Sequence, residues 1–269
     1  MKFRVVTVEL PNQVQLQYVE QGDSRGFPLI LLHGYVDSWR SFERVLPYLP
    51  ESIRTFALTQ RGHGDASRPA TGYRPGDFAM DLLEFMDVLR LKKAVIAGGS
   101  SGGIIARRFA IDHPTRISGL ILAGSPLTLH NKPGVIKLWD STISKLVDPM
   151  DPRFVSEFMM SNVAQQVPRA FLKTMLRENL KVPARVWKTT LKGLLEDGSS
   201  GELNKIKAPT LIVWGDKDVV VPPSDQKTLL EQISGSRLVV YPGAGHMLYW
   251  EEPARFASDI ESFIEGLNM

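Results

Sequence analysis

The chain contains no cysteine. Disulfides and thiolate metal sites are therefore excluded, and a reducing compartment, the cytoplasm, is the expected location. No segment reaches the roughly 18 apolar residues that a membrane span needs. The opening stretch Met1–Leu10 alternates like a strand and lacks the apolar run of a secretory signal, so no membrane partner is expected. Charge of one sign is also scarce. The excess is only +3 over 269 residues, and basic residues occur as scattered pairs such as Lys92-Lys93 and Arg107-Arg108. No nucleic-acid partner is expected from so diffuse a pattern. Acidic residues are missing altogether between Leu91 and Ile111, which removes a carboxylate nucleophile from that stretch.

What is present reads as an α/β chain. Alternating runs over residues 3–10 and 13–20, joined at Pro11-Asn12, predict a hairpin. Continuous apolar runs follow at Pro28–Leu32, Ile53–Leu58, Ala94–Ala97 and Ile117–Leu122, as expected for strands buried on both faces of a mostly parallel sheet. Helical periodicity separates them. Phe78, Leu82, Phe85, Met86 and Leu89 predict one apolar face over 77–91, with Asp77 as cap. From Leu127 to Ser200 the rhythm changes. Helical stretches at about 134–147, 151–163, 168–181 and 183–196 are separated by prolines, and Gly198–Gly201 reads as a hinge. Strands return at Thr210–Trp214 and Arg237–Tyr241, with helices over Ser224–Ile233 and Pro253–Leu267. Alternation of this kind argues for a parallel sheet flanked by helices.

One stretch carries chemistry. Ala94–Ala106 runs from a strand through Gly98-Gly99-Ser100-Ser101-Gly102-Gly103 into a helix, the pattern of a nucleophile elbow. Gly98-x-Ser100-x-Gly102 and Gly99-x-Ser101-x-Gly103 both fit. The small Gly98 two residues before the nucleophile favours Ser100. A serine nucleophile needs a base, a group that orients the base, and donors for the oxyanion. Active sites of open parallel sheets gather at the carboxyl ends of strands. Of the five histidines, His246 lies just past the last strand and is the expected base. His33 and His63 lie in glycine loops that their side chains are expected to order. His113 ends a helix, and His130 has no evident partner. After the strand ending at Trp214 come Asp216 and Asp218. Asp216 is placed to cap the turn, and Asp218 to reach the histidine of the next loop. The two alone do not make a metal site.

The order serine, aspartate, histidine, with His33-Gly34, Arg61-Gly62-His63-Gly64, Gly215-Asp216-Lys217-Asp218 and Gly243-Ala244-Gly245-His246 each after a strand, resembles the α/β-hydrolase fold superfamily over nearly the whole chain. The resemblance implies an α/β-hydrolase core over 1–126 and 201–269, with a mostly parallel central sheet, and a helical cap over 127–200. It implies Ser100 as nucleophile, Asp218 as acid and His246 as base, with the backbone N–H groups of Tyr35 and Ser101 as the oxyanion hole. No cofactor or metal is expected. The expected activity is that of a serine-nucleophile carboxylesterase acting on a small-molecule ester. Carbon–carbon bond hydrolysis, cofactor-free perhydrolase or haloperoxidase chemistry, and a non-catalytic small-molecule receptor are the alternatives. Leu127, Trp139, Phe158 and Trp187 are expected to line an apolar pocket. Arg153, Arg169 and Arg177 are the cations that could meet an anionic substrate. Two positions depart from the family pattern: Gly99, where relatives often have histidine, and Thr59, where they often have aspartate. Oligomeric state is not legible.

Overall fold

A computed structural model describes residues 3–130 and 132–267. Met1, Lys2, Asn268 and Met269 of the expected core, and Asn131 of the expected cap, lie outside the described residues. The hairpin forms as β1 (Val5–Glu9) and β2 (Gln15–Gln21). The buried runs become β3 (Phe27–Leu32), β4 (Ile53–Thr59), β5 (Ala94–Gly99), β6 (Ile117–Ala123), β7 (Thr210–Gly215) and β8 (Ser236–Tyr241). One sheet holds all eight in the order β1-β2-β4-β3-β5-β6-β7-β8. Pairings of β1 with β2 and of β2 with β4 are antiparallel, and the rest are parallel.

The strands read as unbroken apolar runs because both faces are covered. Ile30, Leu32, Ile96 and Leu122 face one core, while Leu29, Leu31, Val95 and Ile121 face the other. Helices α1 (Pro75–Val88) and α2 (Ser101–Asp112) contribute to the first core. α1 starts ahead of Asp77, whose carboxylate reaches back to accept the Arg74 N–H at 2.8 Å. Asp77 thus caps from inside the first turn rather than from the boundary. The proline-broken stretch after β3 forms only two short 3₁₀ turns, Trp39–Phe42 and Leu46–Tyr48.

Between β6 and β7 the described residues form no strand. The chain runs through α3 (Pro133–Ser141), α4 (Pro152–Met160), α5 (Arg169–Leu180) and α6 (Ala184–Leu195). The expected hinge at 198–201 is instead the start of a 3₁₀ segment, Ser199–Lys205. The Asp197 carboxylate accepts from the Ser199 N–H and hydroxyl, and buried Leu203 anchors the segment. After β7 come α7 (Pro223–Gln232), the short α8 (Leu248–Glu251) and α9 (Pro253–Leu267); α8 and α9 close the second core. Among the described residues no helix is long and apolar enough to cross a membrane.

Sheet order turns at β3 and β5. β4 lies to one side of β3, and β6 lies beyond β5. Loops leaving β3 and β5 therefore diverge and open a crevice at their carboxyl ends, where ligands of open α/β sheets bind.

Candidate active site

Ser100 occupies the top of β5, at that crevice. Its backbone has φ 51° and ψ −120°, a strained turn that lifts the side chain off the sheet. The turn is fixed by the Ser100 N–H donating to the Ala123 carbonyl at 2.8 Å and the Gly103 N–H donating to the Ser100 carbonyl at 2.9 Å. Small residues are required where backbones meet. A Cβ on Gly102 would collide with the Leu32 carbonyl oxygen. At Gly99 the same atom would lie 2.6 Å from the Tyr249 phenol oxygen. Buried Tyr249, stacked on Phe42 at 5.2 Å, fills the space that a larger residue at 99 would need. That is the physical reason glycine stands there.

Ser100 Oγ lies 2.8 Å from His246 Nε2, and His246 Nδ1 lies 2.9 Å from Asp218 Oδ2. Ser100 thus faces the imidazole, while Ser101 is the first residue of α2. The second carboxylate oxygen of Asp218 accepts the N–H groups of Val220 and Val221, both at 2.8 Å. An ionised Asp218 so held keeps the His246 proton on Nδ1 and leaves Nε2 free to accept one from serine. Asp216 points elsewhere: its Oδ1 accepts the Gly243 N–H at 2.6 Å and ties the two loops together.

The loop after β3 packs directly on the elbow. A Cβ on Gly34 would sit 3.3 Å from Ser100 Cβ. Tyr35 follows, and its N–H and that of Ser101, which opens α2, both belong to segments bordering the serine. His33 orders this loop, with Nδ1 donating to the Gly34 carbonyl at 2.8 Å and Nε2 accepting the Gln60 N–H at 3.0 Å. Burial, with His63 nearby, holds the His33 imidazole well below its usual range. His63 is likewise pushed down to about 4 by burial and bonds the Arg61 carbonyl at 2.7 Å. Both rings serve the loops. His113 packs at a tilt against Phe109, and His130 finds the Leu195 carbonyl at 3.1 Å. Thr59 accepts the Trp39 N–H at 3.2 Å, a structural task for the residue that departs from the family pattern.

A cavity of about 510 Å³ opens above Ser100 and His246, within the range of small-molecule sites. Val135 and Leu138 of α3, Phe154 and Phe158 of α4, and Leu191 of α6 form its apolar wall. Of the four residues expected there, only Phe158 lines it. Trp187 is fully buried behind the wall, its ring against Tyr35, Phe154 and Phe158. The Leu127 backbone is tied to α7 and α2, its N–H donating to Asp225 at 2.8 Å and its carbonyl accepting from Arg107 at 3.0 Å. Trp139 packs half-buried against the first core. Arg153, Arg169 and Arg177 are also absent from the lining.

A family model for the alpha/beta hydrolase fold matches residues 28–253. The chain belongs to that family. The 2-hydroxymuconate semialdehyde hydrolase of Pseudomonas sp. (strain CF600) is 28% identical to this α/β hydrolase over 255 residues, covering 89% of this chain and 87% of its own. A putative non-heme chloroperoxidase of Synechocystis sp. is 29% identical over 264 residues, 91% and 94% of the two chains. An esterase structure from Exiguobacterium antarcticum superposes with a TM-score of 0.87 at 25% identity, over 97% of this chain and 99% of that one.

Three polar residues of this α/β hydrolase escape sequence reading. Glu251 is buried, and its carboxylate spans the Gly245 N–H and the Ala164 N–H, both at 2.7 Å. It fastens the loop carrying the His246 imidazole to the segment after α4. Asp37 and Asn179 both line the cavity. No motif marks any of the three.

Burial pushes the Asp37 carboxyl from an ordinary 3.8 up to about 6, against the opposing pull of Ser41, Asn179 and His246. A folded pKa above the unfolded one means that the fold favours the protonated acid. That contribution is complete below about pH 4 and is lost as pH rises through 6. Asp37→Asn should therefore gain stability relative to the parent between pH 4 and pH 8, by about 3 kcal/mol at most. Urea unfolding at several pH values would show it. A difference that stays flat with pH would contradict a buried charge.

Proposed function

We propose that the chain is a serine hydrolase that cleaves a small to medium carboxylic ester through an acyl-enzyme, with residues 127–200 acting as a cap over the site. The observation carrying this reading is the 2.8 Å contact of Ser100 Oγ with His246 Nε2 at the floor of an apolar cavity. In this reading His246 takes the Ser100 proton as Oγ attacks the ester carbonyl. The N–H groups of Tyr35 and Ser101 receive the oxyanion. The protonated His246 then passes its proton to the departing alkoxide, releasing the alcohol. Water, deprotonated by His246, attacks the acyl-enzyme, and collapse of that intermediate returns the proton to Ser100 and frees the acid. Asp218 orients and stabilises the imidazolium throughout.

Carbon–carbon bond hydrolysis and haloperoxidase chemistry, named for two of the relatives, would use the same residues. Charge favours the ester. Asp37 and Glu157 line the cavity, and no lysine or arginine does so among the described residues. A muconate-type substrate carries a carboxylate, which such walls repel, whereas a neutral ester meets no such barrier.

The test is a panel of p-nitrophenyl acetate, butyrate and octanoate, the p-nitrophenyl monoester of succinate, and a β-diketone, with peroxide-dependent bromination run alongside. Neutral esters should be hydrolysed, and the anionic ester about tenfold or more slowly than butyrate. Faster loss of the diketone than of any ester would favour the carbon–carbon reading. Rapid bromination with poor ester turnover would favour the peroxidase, and tight ligand binding without turnover a receptor.

A further inference from the structure

We infer that Asn179, on α5 of the cap, is a positioning residue for the oxyanion site, holding the strained turn Tyr35–Val36–Asp37 from the cap side. The inference rests on the reading of the Tyr35 N–H as an oxyanion donor. Val36 has φ 63°. A β-branched residue rarely adopts that conformation, which persists only where its surroundings enforce it.

The enforcing contacts come largely from the cap. Asn179 Nδ2 donates to the Val36 carbonyl at 2.9 Å and to Asp37 Oδ1 at 3.1 Å. One amide group thus spends both hydrogens on consecutive residues of the turn. The Tyr35 hydroxyl donates to the Trp187 carbonyl of α6 at 2.6 Å. From the core side, Ser41 Oγ donates to Asp37 Oδ2 at 2.8 Å and accepts from Trp250 Nε1 at 3.3 Å. Val36 and Asn179 are each 1% exposed, and leucine at 179 would fill the space that a water from the cavity would need to replace the lost donor. With Gly34 pressed against Ser100 on one side, relaxation of Val36 towards extended backbone rotates the Tyr35 peptide. The N–H then leaves the position where charge develops. Asn179 touches no reacting atom in this account. It acts through the turn.

A transition-state effect separates this role from simple packing. The variants are Asn179→Ala and Asn179→Leu; leucine keeps the volume and lacks the donor. Ester hydrolysis is measured with labelling of Ser100 by a fluorophosphonate. Binding is measured for an aryl trifluoromethyl ketone and its methyl ketone counterpart. Ser100 Oγ adds to the fluorinated carbonyl, the proton passing to His246 and the carbonyl oxygen becoming an oxyanion; the methyl ketone binds without adding.

Both variants should lose about 10- to 100-fold in kcat, less than the loss of an oxyanion donor outright. KM should stay within about threefold. Affinity for the trifluoromethyl ketone should fall in step with kcat/KM, and that for the methyl ketone should hold. Unchanged kcat, recovery in the leucine variant, or equal weakening of both ketones would overturn the inference. So would unfolding of both variants, since a residue that only holds the turn leaves the fold standing. If the parent protein neither hydrolyses esters nor prefers the fluorinated ketone, it is the esterase reading that fails.

Discussion

Ser100→Ala is expected to lower ester turnover about 10⁴-fold or more, to the level left by binding and the oxyanion donors alone. The size follows from the role. Among the described residues Ser100 Oγ is the hydroxyl that bonds His246 Nε2, at 2.8 Å. Neighbouring Ser101 makes the comparison informative. Ser101→Ala keeps its backbone N–H at the start of α2 and removes only a hydroxyl, so its loss should be smaller by orders of magnitude. Steady-state kinetics on p-nitrophenyl butyrate, with peptide mapping of a fluorophosphonate adduct, checks both. An adduct on Ser101, or an Ser100→Ala protein that still turns over, would sink the assignment.

Asp218→Asn should be nearly as damaging, about 10⁴-fold in kcat, and the local geometry says why. The Val220 and Val221 N–H groups both point at Oδ1. An asparagine in this position must give its carbonyl oxygen to those donors. Its NH₂ then faces His246 Nδ1, which must accept rather than donate. The imidazole proton moves to Nε2, facing Ser100 Oγ, and the base has no lone pair for the serine proton. The variant should fold like the parent, because every backbone bond of the loop is retained. Proton NMR of the imidazole, read beside kcat, distinguishes the wrong tautomer from a collapsed loop. Full activity with the Nε2–H tautomer would contradict the role given to Asp218.

The framework was legible because the inner strands of the parallel sheet are buried on both faces and so write apolar runs, while the edge strand β8 is only partly buried but still carries Leu238–Tyr241. The Ser100, Asp218 and His246 positions were legible for a related reason: each follows a parallel strand, and sheet topology brings those ends together. Pocket residues were not. Trp187, Trp139 and Leu127 are apolar residues of an apolar insertion, and periodicity tells which face of a helix is buried but not whether a cavity or a neighbouring side chain covers it. Trp187 turns out to be buried against Tyr35 and Phe154. Asn179 and Glu251 were invisible for a different reason. Each has one backbone partner far along the chain, Val36 for Asn179 and Ala164 for Glu251, and a backbone group carries no side-chain signature.

The fit of Tyr249 against Gly99 bears on how the elbow can change over generations. A bulkier residue at 99 collides with the tyrosine ring while it is in place, at a cost of about 1–3 kcal/mol. Trimming Tyr249 first removes the collision but empties the space beside Phe42, which is destabilising in its own right. Either order of substitution passes through a weakened intermediate, so a larger residue at 99 is expected to be tolerated only together with a smaller one at 249.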